Sequence, residues 1–187
     1  MILDESRVLA EKENLAVNAI YLYSDQGFIL TETGNPEEGM KYYEKATDLI
    51  GKSKLSKGDL DKLMTHVGLW KFYTLTAQGD YEKAKAEADK VKQTIDSRKN
   101  HGEEMFLNSL MGYLAFKQGN YDEAIQYFSK ADAEDPLNWY YQAMAYQKMG
   151  DTQNAGKLME KIKTSNVNSM NLALVRNKTL GSLAMEE

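Results

Sequence analysis

The chain has 187 residues, 42% hydrophobic and 27% charged, which is enough for one domain with a real core. A net charge of −5 and the absence of any basic patch longer than Lys52-Ser-Lys54 with Lys57 argue against nucleic acid as a partner. The absence of cysteine excludes disulfides, thiolate chemistry and cysteine-ligated zinc.

Ala, Leu, Lys, Glu, Gln and Met are plentiful and β-branched residues sparse, so helix is favoured almost throughout. In chain order, helix is expected over about 4–33, as one rod or two nearly continuous ones with Gly27 the weak point, then over 36–50 with Pro36 in the first turn. A loop over 52–58 follows. Further helices are expected over 59–78, 81–97, 103–118, 121–133, 137–149 and 152–163. The last spans about 168–184, with an apolar stripe at Met170, Leu174, Thr179 and Leu183. No apolar run approaches the ~18 residues needed to cross a bilayer, so membrane insertion is not expected. The start, Met1-Ile-Leu-Asp-Glu, lacks a basic segment before an apolar core. The expected compartment is therefore the cytoplasm, or the periplasm if a leader has been removed.

Four dipeptides punctuate this series: Gly34-Asn35, Gly79-Asp80, Gly119-Asn120 and Gly150-Asp151. Glycine is expected to end each first helix in the left-handed conformation, and the Asn or Asp side chain to cap the next. Five residues after each glycine stand Gly39, Ala84, Ala124 and Ala155, and twelve after stand Ala46, Val91, Ala131 and Ile162. Nine after stand Tyr43, Ala88, Phe128 and Met159; seven before stand Gly27, Phe72, Gly112 and Ala143. Small residues allow two helix backbones to approach, and larger ones a turn away fill the space beside them. The pattern describes a series of helical hairpins.

The stretch from Met111 through Gly119-Asn120 to Ala131 and Asp135-Pro136, and the next from Trp139 to Gly150-Asp151, together resemble the tetratricopeptide repeat. The turn glycines stand at 34, 79, 119 and 150, so the intervals are 45, 40 and 31 residues, against a family period of about 34. Phe72 departs from the small residue the family prefers, with Gly68 one turn earlier available for the close approach. The resemblance implies one all-α domain over 1–187, a right-handed superhelical stack of antiparallel helix pairs. Its irregular units cover about 16–51, 59–97, 103–135 and 137–164, and a C-terminal capping helix covers about 168–184.

It also implies a concave face lined by the first helix of each pair. Carried over by distance from each turn glycine, that stripe is Tyr21, Ser24, Phe28 and Glu32; His66, Leu69, Tyr73 and Ala77; Phe106, Ser109, Tyr113 and Lys117; and Tyr140, Met144 and Lys148. The candidate peptide-binding groove is Tyr73, Phe106, Tyr113, Phe116, Lys117, Tyr140 and Met144, although in the first two units the aromatics could equally be core. Relatives that grip a C-terminal carboxylate use Lys, Asn and Arg on this stripe, whereas Tyr, Phe, Ser and Met prevail here, so such a clamp is not expected.

Catalytic chemistry has little to stand on. The two histidines, His66 and His101, lie 35 residues apart and read as a groove or core residue and a turn residue. Acidic pairs such as Glu37-Glu38 and Glu103-Glu104 sit in first turns, where they suit the helix dipole. No phosphate loop, nucleophile elbow or zinc-binding His pair occurs. No catalytic, cofactor or metal site is expected. The function expected is a non-catalytic interaction or scaffold module that binds a protein or peptide on its concave aromatic face. The alternatives are a self-associating structural protein, using Met1, Ile2 and Leu3 or the last helix, and a small-molecule binder or unrecognised enzyme.

Overall fold

The computed structural model describes residues 2–12 and 15–183, with side chains at 5–10 and 15–179. Met1 and the side chains of Ile2, Leu3 and Leu183 lie outside the described residues. The described residues form ten α-helices: α1 Ile2–Lys12, α2 Ala16–Glu32, α3 Pro36–Lys52, α4 Lys57–Gln78, α5 Tyr81–Arg98, α6 His101–Lys117, α7 Tyr121–Phe128, α8 Pro136–Lys148, α9 Thr152–Thr164 and α10 Met170–Leu183. The closest partnerships are the antiparallel pairs α2/α3, α4/α5, α6/α7 and α8/α9. Contacts divide the chain into two compact units, 1–100 and 101–187. Unit 1 carries α1 to α5 and unit 2 carries α6 to α10.

The four turn glycines all have positive φ, between 81° and 88°. A side chain at these positions would bring Cβ against the backbone, so glycine ends the first helix of every pair. The following N–H then closes each turn by bonding five residues back: Asn35 to the Leu30 carbonyl, Asp80 to Leu75, Asn120 to Ala115 and Asp151 to Tyr146, at 2.8–3.0 Å. The Asn and Asp side chains were expected to cap the next helix, and only Asp151 does, accepting from Asn154 N–H at 3.0 Å. At Asn35, Asp80 and Asn120 no side-chain cap forms. Closure by the backbone meets the need there, and the Asp80 carboxylate pairs with Lys83 instead.

Within unit 1, α2 and α3 meet at Gly27 and Gly39. A Cβ on Gly39 would stand 2.6 Å from the Gly27 carbonyl oxygen, and one on Gly27 would stand 2.5 Å from the Tyr43 ring. The fully buried Tyr43 lies against Ile20, Ala46, Ile50, Leu63 and Val67. In the second pair the close approach is at Gly68, where a Cβ would meet Val91 at 2.5 Å, and Phe72 is wholly buried. Three hydroxyl groups in this core partner one another. The Thr31 and Thr74 hydroxyls meet at 2.7 Å, and Thr74 lies 3.2 Å from the Tyr43 hydroxyl. Burial pushes the Tyr43 phenol well above its ordinary value.

Within unit 2 the same device recurs at Gly112, whose Cβ would stand 2.7 Å from the Phe128 ring. Helix α7 ends at Phe128, five residues earlier than the sequence suggests. Side-chain donors of α8 and α9 bind the carbonyls that would otherwise continue it: Asn138 donates to Asp132 at 2.9 Å, and Trp139 Nε1 and Lys161 donate to Ala133 at 2.6 and 3.1 Å. Asp135 then caps α8 through Leu137 N–H and accepts from Asn171 of α10. The last helix turns differently from expectation: Leu172 and Val175 are buried, whereas Met170 is 38% exposed and Leu174 only half-buried. Asn171 and Arg176 set this phase, with Arg176 donating to the Ile162 and Lys163 carbonyls at the end of α9.

Candidate functional site

The first helices of the pairs (α2 and α4 in unit 1, α6 and α8 in unit 2) carry the expected aromatic stripe, since side chains three and four residues apart share a helix face. Tyr73 belongs to unit 1, and the other six candidates belong to unit 2.

In unit 2, Tyr113 and Phe116 of α6 surround Tyr141 of α8. Ring centroids are 4.5 Å apart for Tyr113–Tyr141, 5.6 Å for Phe116–Tyr141 and 5.2 Å for Tyr140–Tyr141. Phe116 also lies 5.8 Å from Tyr121. Tilted and edge-on arrangements of this kind suit the ring quadrupoles. Tyr113 is buried in this cluster, so its ring is a foundation and not a contact surface. Phe106, Phe116, Tyr140 and Met144 are half-buried, and Lys117 is exposed at the end of α6. Tyr141, the hub, was not among the expected site residues. It is buried, and it lies nine residues before its turn glycine.

Trp70 lies nine residues before Gly79 and has the corresponding place in unit 1. Its ring is 4.4 Å from Phe28, 6.1 Å from Tyr73 and 6.3 Å from His66. A large aromatic nine residues before the glycine in the second and fourth hairpins was the available signal, and only comparison of alternate repeats brings it out. Tyr73 is not available as a groove residue. It is 2% exposed, 5.4 Å from the Phe28 ring, and its hydroxyl donates to the Glu32 carboxylate. Phe28 and Ser24, also expected on the inner stripe, are wholly buried, with the Ser24 hydroxyl returned to the Ile20 carbonyl.

The rest of the unit 1 stripe is more open. Tyr21 is 42% exposed and meets the His66 ring edge-on at 4.7 Å. His66 is half-buried, its Nε2 has no hydrogen-bond partner, and burial pulls its pKa down to about 4, so it is neutral at pH 7. Asp25 is half-buried on the same stripe, and burial raises its carboxyl above the ordinary value.

The first-helix stripes of α2 and α6 differ in charge at equivalent positions. Two residues before the turn glycine, the first helix has Glu32 in unit 1 and Lys117 in unit 2; nine before, it has Asp25 and Leu110. Among the described residues no group of three or more His, Cys, Asp or Glu is placed to hold a metal ion. None of the described helices is long and apolar enough to cross a membrane.

Comparison with known sequences adds the family. Tetratricopeptide repeat profiles match residues 20–53, 107–136 and 137–169, which fall on the hairpins α2/α3, α6/α7 and α8/α9. No curated protein matches the chain.

Proposed function

The chain belongs to the tetratricopeptide repeat family, whose repeats are generally protein–protein interaction modules, and from that premise we propose that it is a non-catalytic module binding a protein or peptide on the α6–α8 face of unit 2. The observation that carries this reading is the half-buried Phe116 and Tyr140 packed on Tyr141 of the buried Tyr113–Tyr141 pair, with half-buried Phe106 and Met144 on the same two helices and Lys117 exposed at the end of α6. Rigid rings held by a packed base lose little conformational entropy on binding, and a half-buried ring still has apolar area to cover. Lys117, with Lys148 also exposed at the end of α8, supplies a polar rim of positive charge.

The test is affinity capture from source-cell lysate with wild type beside a Phe106→Ala/Tyr140→Ala/Met144→Ala variant whose helicity is checked by circular dichroism. A protein retained by wild type and lost from the folded variant supports the reading. Equal capture by both moves the contact away from this face.

Self-association is the second reading, favoured by the apolar residues Val8, Leu9 and Leu15 in and just after α1, which are 53%, 57% and 49% exposed. Light scattering across a hundredfold concentration range distinguishes it. A constant monomer mass removes it.

A further inference from the structure

Tyr21, Asp25, Phe28 and Glu32 of α2 run beside His66, Trp70 and Tyr73 of α4, as the Tyr21–His66, Phe28–Trp70 and Phe28–Tyr73 ring contacts and the Tyr73–Glu32 hydrogen bond fix. Asp25 therefore stands one turn from both Tyr21 and Phe28, in register with the space between His66 and Trp70. It is the unusual member of the stripe. It is half-buried, and among the described residues no hydrogen bond or ion pair reaches it. Removing a carboxylate from water without a counter-charge costs stability, and burial raises its pKa for that reason. The equivalent position in unit 2 is Leu110, so the hairpin does not require an acid there.

The surroundings suit a cation. No Lys or Arg occupies either stripe, and His66 is neutral at pH 7. Tyr21, 42% exposed, stands one turn before Asp25 on α2, and half-buried Trp70 on α4 packs against Phe28 one turn after it. A cation within about 6 Å of such a ring is attracted by its quadrupole, Trp most strongly. The chain's net charge of −5 has the sign that draws a basic partner in.

We propose that the α2–α4 face of unit 1 binds a Lys or Arg side chain of a basic partner segment, with the Asp25 carboxylate as counter-ion and Tyr21 and Trp70 as flanking rings. This rests on the reading that the chain is an interaction module, and it commits that reading to a partner chemistry at a place distinct from the aromatic ring on α6 and α8. Such a segment supplies the opposite charge that Asp25 lacks. An acidic segment would bring a second anion beside Asp25 and Glu32.

Titration of a hexa-arginine peptide followed by NMR at low salt tests it, with hexa-glutamate as the comparison. Hexa-arginine is expected to shift the Trp70 indole N–H signal while the Trp139 signal stays in place, and hexa-glutamate to shift neither. Asp25→Asn is expected to weaken hexa-arginine binding by roughly fivefold or more, the scale of one cation–π and ion-pair contact. Its unfolding midpoint should equal or exceed that of wild type, because a desolvated charge is gone. Asp122→Asn, on the exposed start of α7, should leave binding unchanged. Binding that survives Asp25→Asn, falls equally with Asp122→Asn, or shifts Trp139 and not Trp70 overturns the proposal. The wider interaction reading fails separately, through equal lysate capture by wild type and the Phe106/Tyr140/Met144 variant.

Discussion

The two units make the same ring contact and use it differently. Phe28 and Tyr113 stand six residues before their turn glycines, and Trp70 and Tyr141 stand nine before theirs. The pairs meet at 4.4 Å in unit 1 and 4.5 Å in unit 2. In unit 1 the second helix adds Tyr73, whose hydroxyl is taken by Glu32, and a buried Thr31–Thr74–Tyr43 chain lies beneath. In unit 2 the corresponding position holds Met144, and the neighbouring Phe116 and Tyr140 stay half-buried. One hairpin geometry thus buries Tyr73 in unit 1, while in unit 2 it leaves Phe116, Tyr140 and Met144 half-buried around a buried Tyr141.

A large effect that sharpens this contrast is expected at Gly39. Alanine there would place Cβ 2.6 Å from a backbone oxygen that cannot rotate away. Overpacking should cost about 3 kcal/mol net, despite the ~1 kcal/mol that Ala gains over Gly in a helix. Unit 2 has Ala124 at the same place, and Ala124→Gly should cost only about 1 kcal/mol. Urea unfolding of both variants measures the difference, and equal costs would remove the claim that the α2/α3 crossing is the tighter one.

Next is Thr74→Val, which keeps shape but leaves the buried Thr31 and Tyr43 hydroxyls short of a partner. A loss of about 2 kcal/mol is expected, against near zero if water replaces the hydroxyl. Smaller again is a pH effect from His66. Its folded pKa, about 4, is below the unfolded value of 6.5, so the unfolded chain binds more protons between these limits. Its contribution is therefore complete above pH 6.5 and is lost as pH falls towards 4. Wild type should lose about 1–2 kcal/mol between pH 7 and pH 5 from this group, and His66→Phe should lose distinctly less, as urea midpoints at the two values would record.

Much of the fold was legible because each feature was local. A positive φ needs glycine, and a close crossing needs a small residue a fixed number of positions away, so Gly34, Gly79, Gly119 and Gly150 with Gly27, Gly39 and Gly112 mark the hairpins directly. Side-chain caps at Asn35, Asp80 and Asn120 were misread because residue type signals a capacity, and the backbone closure had already met the need. The phase of α10 was missed because Asn171 and Arg176 set it through distant partners, Asp135 and the end of α9. The candidate site was half legible for the same reason. Periodicity places Tyr73, Tyr113 and Tyr140 on one stripe but says nothing of what covers each. Trp70 and Tyr141, which do much of the covering, fall outside the expected groove positions.

The division of aromatic residues between core and surface is tested most directly by comparing Tyr73→Ala with Tyr140→Ala in equilibrium urea unfolding. Tyr73→Ala should cost about 3–4 kcal/mol, as a buried ring and a hydrogen bond to Glu32 are lost together, and Tyr140→Ala about 1 kcal/mol or less. Equal losses would mean that the α8 ring is as much core as the α4 ring, and would contradict its assignment to a contact surface.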